Sequence, residues 1–456
     1  MSTYALVLRH LDKDFLRKLI AIALPITLQN IMFSSRSLVD VMMLGQLGEY
    51  EIAAVGIAAR ATFVSTIMLV GVTTGGALLT AQYWGSGNRE GVRQSTALTW
   101  LVSMAFAAIT VLIFLLFPHQ IMGVTTDSQQ VIELGAQYLI ITSVTMFVVA
   151  CGASMAVGLR AVHKPGLSTL FSGVGIVANI FLNWVLIFGH LGFPKLGIVG
   201  AAIATVISGF IEIACLYGYL YGKKHLLAFG KVDIVAVLKK EKVRKFLSLS
   251  MPTTFNFLAW SGGLFAYQAI MGQTGVQGLA ALAVMTPIES MSLALMIGLS
   301  SSGAVLVGNQ LGANKHDEVY YQALGITAIN IATSILVALV VYLLRAPILD
   351  AFSALTPETR ALSDKFMVIL CIGIFVRSVP MMAINGILRA GGDVKFCLYQ
   401  DLVAQWLIGI PCAALAAALL VWPPEWVYAL FLLEEVVKWI GSIPRIKSKK
   451  WIRNIL

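Results

Sequence analysis

Long apolar runs recur along this chain with barely a charge inside them, among them LVSMAFAAITVLIFLLF, FSGVGIVANIFLNWVLIF and ITAINIATSILVALVVYLL. A helix that crosses a bilayer needs about 20 mostly apolar residues. The runs are that long and recur at the spacing of successive crossings. A soluble protein carries about 25% charged residues; this chain has 12%, with 58% apolar residues. An ordinary soluble enzyme and a disordered chain are both excluded. The 456 residues accommodate twelve helices, at about 16–45, 52–81, 95–117, 133–158, 166–189, 198–221, 247–271, 278–307, 321–344, 361–386, 396–421 and 425–443. The expected class is an all-α integral membrane protein.

The charges orient it. Loops on one side hold Arg9, Lys13, Arg17, Lys18, Arg89, Arg93, Arg160, Lys164 and Arg389, the stretch from Gly222 to Lys245 and the tail IPRIKSKKWIRN. Loops on the other side hold very few. Lys and Arg accumulate in cytoplasmic loops, so both termini are expected in the cytoplasm, in a plasma (inner) membrane. The net charge of +10 is then topology, and nucleic acid is not an expected partner. The start, MSTYALVLRHLDKDFLRK, is too polar for a signal-peptide n-region, and the first span is expected to remain as an anchor. Cys151, Cys215, Cys371, Cys397 and Cys412 lie in or beside apolar runs without CxxC spacing, which reads as packing.

The second half repeats the first at a spacing of 227 residues. Pro25 matches Pro252, Gly45-Gln46 matches Gly272-Gln273, and Gly48, Gly71, Gly76 and Gly85 match Gly275, Gly298, Gly303 and Gly312. The segment GLRAVHK pairs with GILRAGGDVK after a short shift. Six spans per half make the repeats parallel, related by an axis along the membrane normal, and carriers of this build place the substrate path between them. A single two-lobed chain favours a carrier over a channel. The expected division is an N-lobe at 1–228 (spans 1–6), a solvated cytoplasmic linker at 229–246 and a C-lobe at 247–456 (spans 7–12).

The ordered set of motifs resembles the multidrug and toxic compound extrusion (MATE) family. The resemblance is carried by ALPITLQNIMFSSRSLVDVMMLGQLGEYEIAAVG and by the loops after the second and eighth spans, YWGSGNRE and NQLGANKHD. Tyr138-Leu139, ANIFLNWVLIFG and KWIGSIPRIKSKKW complete it. It covers essentially the whole chain. It implies a twelve-helix antiporter that expels cationic or amphipathic drugs on an inward flow of protons or sodium, with two six-helix lobes around a central cleft.

Ionisable residues inside spans are costly and are functional candidates by default. Asp40 is foremost. A carboxylate in a partly desolvated cavity can act as a proton switch, and the resemblance assigns Asp40 the coupling cation. Simple neutralisation by Arg36, four residues earlier on the same face, is the competing reading. Asn179 and Asn183 share a face; helix–helix hydrogen bonding is the plain alternative, while the resemblance places them with Tyr138 and Thr205 around Asp40. Many relatives carry Asp where this chain has Asn183. With one anionic ligand fewer, a proton is favoured over sodium.

In the second half, Tyr267 stands where the repeat would place Asp40, and Trp260 where one branch of the family has a Glu, which points to the DinF-like branch. Arg36, Glu289 and Arg377 are a secondary polar set, with Glu289–Arg377 packing as an equal alternative. Glu212, Asp401, Glu434, Glu435 and Arg60 receive no role. Pro25 lacks an amide hydrogen and can kink its span; the resemblance makes it a hinge. Met32, Phe33, Met43 and Phe63 offer an adaptable drug-lining surface, lipid contact being the alternative for each.

The histidines are isolated, and neither GxxxxGK[ST] nor HExxH occurs. The expected protein is thus no enzyme and needs no metal or cofactor beyond an ion gradient. Its partners are small amphipathic or cationic drugs and membrane lipids, and it works as a monomer. A flippase for a lipid-linked precursor, which shares the fold, and a passive channel or scaffold are the alternatives.

Overall fold

A computed structural model describes every residue except Met1, Ser2, Gly45, Ser353 and Ala354, and every other side chain except those of Tyr4, Ser37, Leu38 and Val41. Gly45, one of the repeat-matched glycines, therefore lies outside the described residues. Helices α1 (Lys13–Leu44), α2 (Glu49–Gly85) and α3 (Arg89–Leu116) are followed by α4, which bends by 44° between Gln129–Ser143 and Thr145–Ala161. Then come α5 (Pro165–Phe188), α6 (Ile198–Gly222), α7 (Lys240–Gln273), α8 (Val276–Gly312) and α9 (His316–Leu343). In α10, Pro357–Met381 continues through a π-helical stretch, Met382–Leu388. The next helix, α11, consists of Val394–Asp401, a second π stretch Leu402–Gly409, and Ile410–Ala418. The last, α12, is split into Pro424–Leu430 and Leu433–Lys447. Each expected span thus has its helix.

Length and hydropathy alone qualify nine of these helices as spans among the described residues, or ten with α4 taken as one. The two that fall short are α7 and α12. Polar residues thin out α7, including Ser250, Thr253, Thr254 and Asn256. In α12 the helix is broken before a buried charged turn, Glu434, Glu435 and Lys438. Such groups are tolerated inside a membrane protein only where they face other protein.

Packing divides the chain into two compact units. The first holds residues 28–80 and 88–254, the second 1–27, 81–87 and 255–456. The division is not a cut by chain order. Residues 13–27 of α1 pack in the second unit, while the repeat-related 240–254 of α7 pack in the first. Glycines permit both contacts. In the first unit α2 meets α7 at Gly71, where a Cβ would stand 2.9 Å from the Thr254 amide nitrogen. Ser250 Oγ donates to the Val72 carbonyl there at 3.2 Å. In the second unit α8 meets α1 at Gly298, where a Cβ would stand 2.7 Å from the Ala23 carbonyl oxygen and would also overlap the Thr27 hydroxyl. Gly71 with Thr254 and Gly298 with Thr27 are the same contact, displaced by the repeat. Small residues at such crossings let helix backbones approach closely where lipid supplies no hydrophobic drive.

The segment expected as a solvated linker is folded onto the first unit. It contains a short helix, Lys231–Val237, and Asp233, only 6% exposed, accepts from Arg93 Nε at 2.8 Å. Leu227, Phe229 and Val237 are buried, and Lys242 Nζ donates to Gln94 Oε1 at 2.6 Å. Alternating apolar residues in GKKHLLAFGKVDIVAV provide the core contacts that its charge count obscures.

Candidate functional site

Near the C-terminal end of α1, the first unit gathers most of the residues singled out in the sequence. Asn183 Nδ2 donates to Asp40 Oδ1 at 2.8 Å and reaches Asn179 Oδ1 at 3.4 Å. Asn179 Nδ2 contacts Thr205 Oγ1 at 3.5 Å, and that hydroxyl donates to the Ala201 carbonyl at 3.0 Å. Asn179 and Asn183 are 0% and 2% exposed. Three helices are needed: α1 brings the carboxylate, and the apolar faces of α5 and α6 bury the amides and hydroxyl. Tyr138 packs on α4 against Leu44, Ile187 and Ala201 on one side and Ala54, Val131 and Ile198 on the other.

Arg36 Nε lies 3.7 Å from Asp40 Oδ2, with both side chains about a quarter exposed. Arg36 is thus a neighbour of Asp40, and Glu289 and Arg377 pair with each other in the second unit. Asn183 Oδ1 is buried without a hydrogen-bond partner among the described residues. An amide oxygen in this position has the capacity to accept one more hydrogen bond.

The remaining candidates are dispersed. Pro25 lies inside an unbroken α1, two residues before the boundary between the packing units, about 22 Å from Asp40 by helical rise. Met32 faces Gly173 on α5 and Met43 joins the Leu44–Ile187–Ala201 cluster. Phe33 and Phe63 are 44% and 41% exposed.

Two polar groupings were not assembled from the sequence. In the first unit, Glu212 is linked through Ser172 and Gln29 to Arg160. In the second, Lys438 Nζ lies 3.6, 3.6 and 3.4 Å from carboxylate oxygens of Asp401, Glu434 and Glu435, and Tyr267 donates to Glu434 Oε2 at 2.7 Å. Tyr267 is the repeat counterpart of Asp40, and its hydroxyl meets an acid from α12. The signal was present in the EExxK spacing, which places Glu434 and Lys438 on one helical face.

The MatE family model matches residues 25–185 and again 252–415, two copies that start at the paired prolines and cover most of the chain. The chain belongs to the MatE family. MatE proteins are membrane transporters, not enzymes, and the relatives agree. The protein named "Uncharacterized transporter YisQ" of Bacillus subtilis (strain 168) is 25% identical over 97% of this chain and 96% of its own length. The "Probable multidrug resistance protein NorM" of Thermotoga maritima is 23% identical over 90% of this chain and 88% of its own. The fold matches that of the Vibrio cholerae MATE transporter VcmN in its bent form, with a TM-score of 0.83, 18% identity and 99% of both chains covered. An outward-facing multidrug resistance MATE family transporter of the MOP superfamily gives 0.87 at 16% identity, over 95% of this chain and 96% of its own. The MatE fold is thus established across the whole chain.

Proposed function

We propose that this MatE protein exports cationic or amphipathic drugs in exchange for protons, with Asp40 as the group that a proton and a drug cation compete to neutralise. The observation that carries the reading is the hydrogen bond from Asn183 to Asp40. An amide side chain can serve both states of a carboxyl group. It donates Nδ2–H to the carboxylate, and after a half-turn about its terminal bond it presents Oδ1 to accept from the protonated acid. The unfilled Asn183 Oδ1 is the acceptor that this exchange requires.

The donors around Asp40 also favour a proton over sodium. A cation held by oxygen ligands calls for several carboxylates or carbonyls, whereas Asp40 faces an amide N–H and a guanidinium. Both already supply positive charge, and a bound sodium ion would have to displace at least one of them. A proton adds to one oxygen and needs no such rearrangement. The relatives named for multidrug resistance support drugs as the cargo.

In the proposed cycle, protonation of Asp40 removes the anion that holds a cationic drug, and the drug leaves. Deprotonation on the cytoplasmic side restores the pocket. Arg36 limits the site's affinity, since it leaves the unprotonated pocket near neutral until a drug cation or a proton arrives. Pro25 is the hinge, the two six-helix lobes (1–228 and 247–456) move against each other, and the monomer sits in the inner membrane with both termini in the cytoplasm. Met32, Phe33, Met43 and Phe63 contribute adaptable apolar surface for the drug.

The test uses inside-out vesicles acidified by respiration. Ethidium should collapse the pH gradient without sodium for the wild type and not for Asp40→Asn. A response that appears only with sodium would replace the proton by sodium. No response in the wild type, with the protein present, would turn attention to lipid flipping.

A further inference from the structure

On α6, seven residues beyond Thr205 and about 10 Å away by helical rise, stands a carboxylate that the Asp40 cluster does not use. Glu212 Oε1 accepts from Ser172 Oγ at 2.8 Å, and Ser172 Oγ accepts from Gln29 Nε2 at 3.0 Å. Gln29 Oε1 in turn accepts from Arg160 Nη2 at 3.4 Å. Gln29 and Ser172 are 5% and 2% exposed. Arg160 Nε is buried with no hydrogen-bond partner among the described residues. Room for the acid is left by Gly175, where a Cβ would stand 2.6 Å from Glu212 Oε2.

Both clusters are written in one register. Gln29, Arg36 and Asp40 on α1 are spaced seven and four, as are Ser172, Asn179 and Asn183 on α5. On α6, Thr205 and Glu212 are seven apart, with buried Ser208 between them. Intervals of seven and eleven return to the same helical face, so each helix carries one polar stripe, with an acid towards each end of the set. Among the described residues, the charged groups on this side of Glu212 are Arg36, on the same stripe of α1 as Gln29, and Arg160 from α4, through Gln29 and Ser172. From α5 the uncharged Ser172 and Gly175 meet it.

We propose that Glu212 is a second proton-binding carboxylate of the first unit, serving the end of the stripe where α5 begins and α6 ends. The proposal rests on the proton-coupled reading of Asp40. Glu212 Oε1 is held by Ser172, so the proton adds at Oε2, taken from water and returned to it, and no other bond forms or breaks. With both carboxylates ionised, Arg36 and Arg160 are matched charge for charge. Protonating either acid leaves one guanidinium unmatched, which opposes a cationic drug. Two acids on one stripe therefore let two protons exchange against cargo, one at each end.

The test is infrared difference spectroscopy of the full chain in nanodiscs between neutral and acid pH, reading the protonated-carboxyl stretch. It is paired with the number of protons released when ethidium binds. Glu212→Gln should lose one carboxyl band, keep the Asp40 band, bind ethidium more weakly and release about half as many protons per ethidium bound. Asp40→Asn should lose the other band. Should Glu212→Gln fail to fold, Glu212→Asp should move the band while keeping its amplitude. A Glu212→Gln spectrum and proton release equal to wild type, or an unmoved band in Glu212→Asp, would overturn the proposal. If Asp40→Asn changes nothing while Glu212→Gln loses its band, the reading of Asp40 fails and the Glu212 site stands.

Discussion

Asn183 donates to Asp40 at 2.8 Å while its own carbonyl oxygen, buried in the same cluster, meets no partner among the described residues. The pair joins α5 to α1, and one amide rotation is all that separates a site suited to a carboxylate from one suited to a carboxylic acid. Stripping the amide leaves Asp40 with Arg36 as its polar neighbour. Asn183→Leu should therefore lower ethidium efflux by about tenfold, the factor that about 1.4 kcal/mol represents, while membrane levels stay within twofold. Efflux rates normalised to protein by immunoblot check this.

Replacing the amide with an acid changes the ion. Asn183→Asp sets a second carboxylate beside Asp40, and two anions with the Asn179 and Thr205 oxygens form a ligand set that a sodium ion can use. Ethidium efflux by this variant should become stimulated by sodium, several-fold at least, where the wild type is indifferent. Transport in sodium-free and sodium-containing buffer at constant ionic strength provides the comparison.

The glycine contacts are expected to govern stability. Gly71→Ala and Gly298→Ala each drive a methyl group into backbone, at Thr254 and at Ala23 and Thr27. Neither backbone can retreat without shifting a helix. Overpacking of this sort costs about 1–3 kcal/mol, or about 2–6 °C of Tm. Because the two contacts are related by the repeat, the two losses should be similar. Thermal unfolding of purified protein in detergent, followed by tryptophan fluorescence, measures both.

Much of the fold was legible because apolar runs, charge asymmetry and the Gly/Pro spacing are each local or periodic signals. They located the helices and the repeat. That residues 13–27 and 240–254 exchange packing units was not legible, since no sequence period distinguishes packing on one's own repeat from packing on the other. The Asp40–Asn183–Asn179–Thr205 cluster was found through spacing together with family resemblance. Glu212 was passed over because a single acid in a span was weighed alone; its stripe appears only when Gln29, Ser172 and Thr205 are read together. The EExxK spacing carried Glu434 and Glu435 with Lys438, whereas the contact of Lys438 with Asp401 joins α11 to α12 and leaves no trace in either helix by itself.

The folded linker makes its own prediction. Asp233 holds Arg93 and also accepts from the Gly230 amide at 2.9 Å. Asp233→Asn removes the charge from a pair whose arginine is 38% exposed, so the loss is expected near 1 kcal/mol rather than that of a buried ion pair. Trypsin should then cut at Lys239 and Lys240 about five times faster, the factor such a loss gives to local opening. Equal cleavage rates would mean that the apolar contacts of Leu227, Phe229 and Val237 hold the segment alone.

The most direct measurement uses purified protein in liposomes with ethidium outside and an imposed pH gradient, acid inside, for the wild type and Asp40→Asn at matched protein density. Proton-for-drug exchange at Asp40 means that ethidium accumulates in wild-type liposomes as protons leave, that an ionophore dissipating the gradient abolishes the accumulation, and that Asp40→Asn liposomes take up no more than empty ones. Accumulation by Asp40→Asn at the wild-type rate would contradict it.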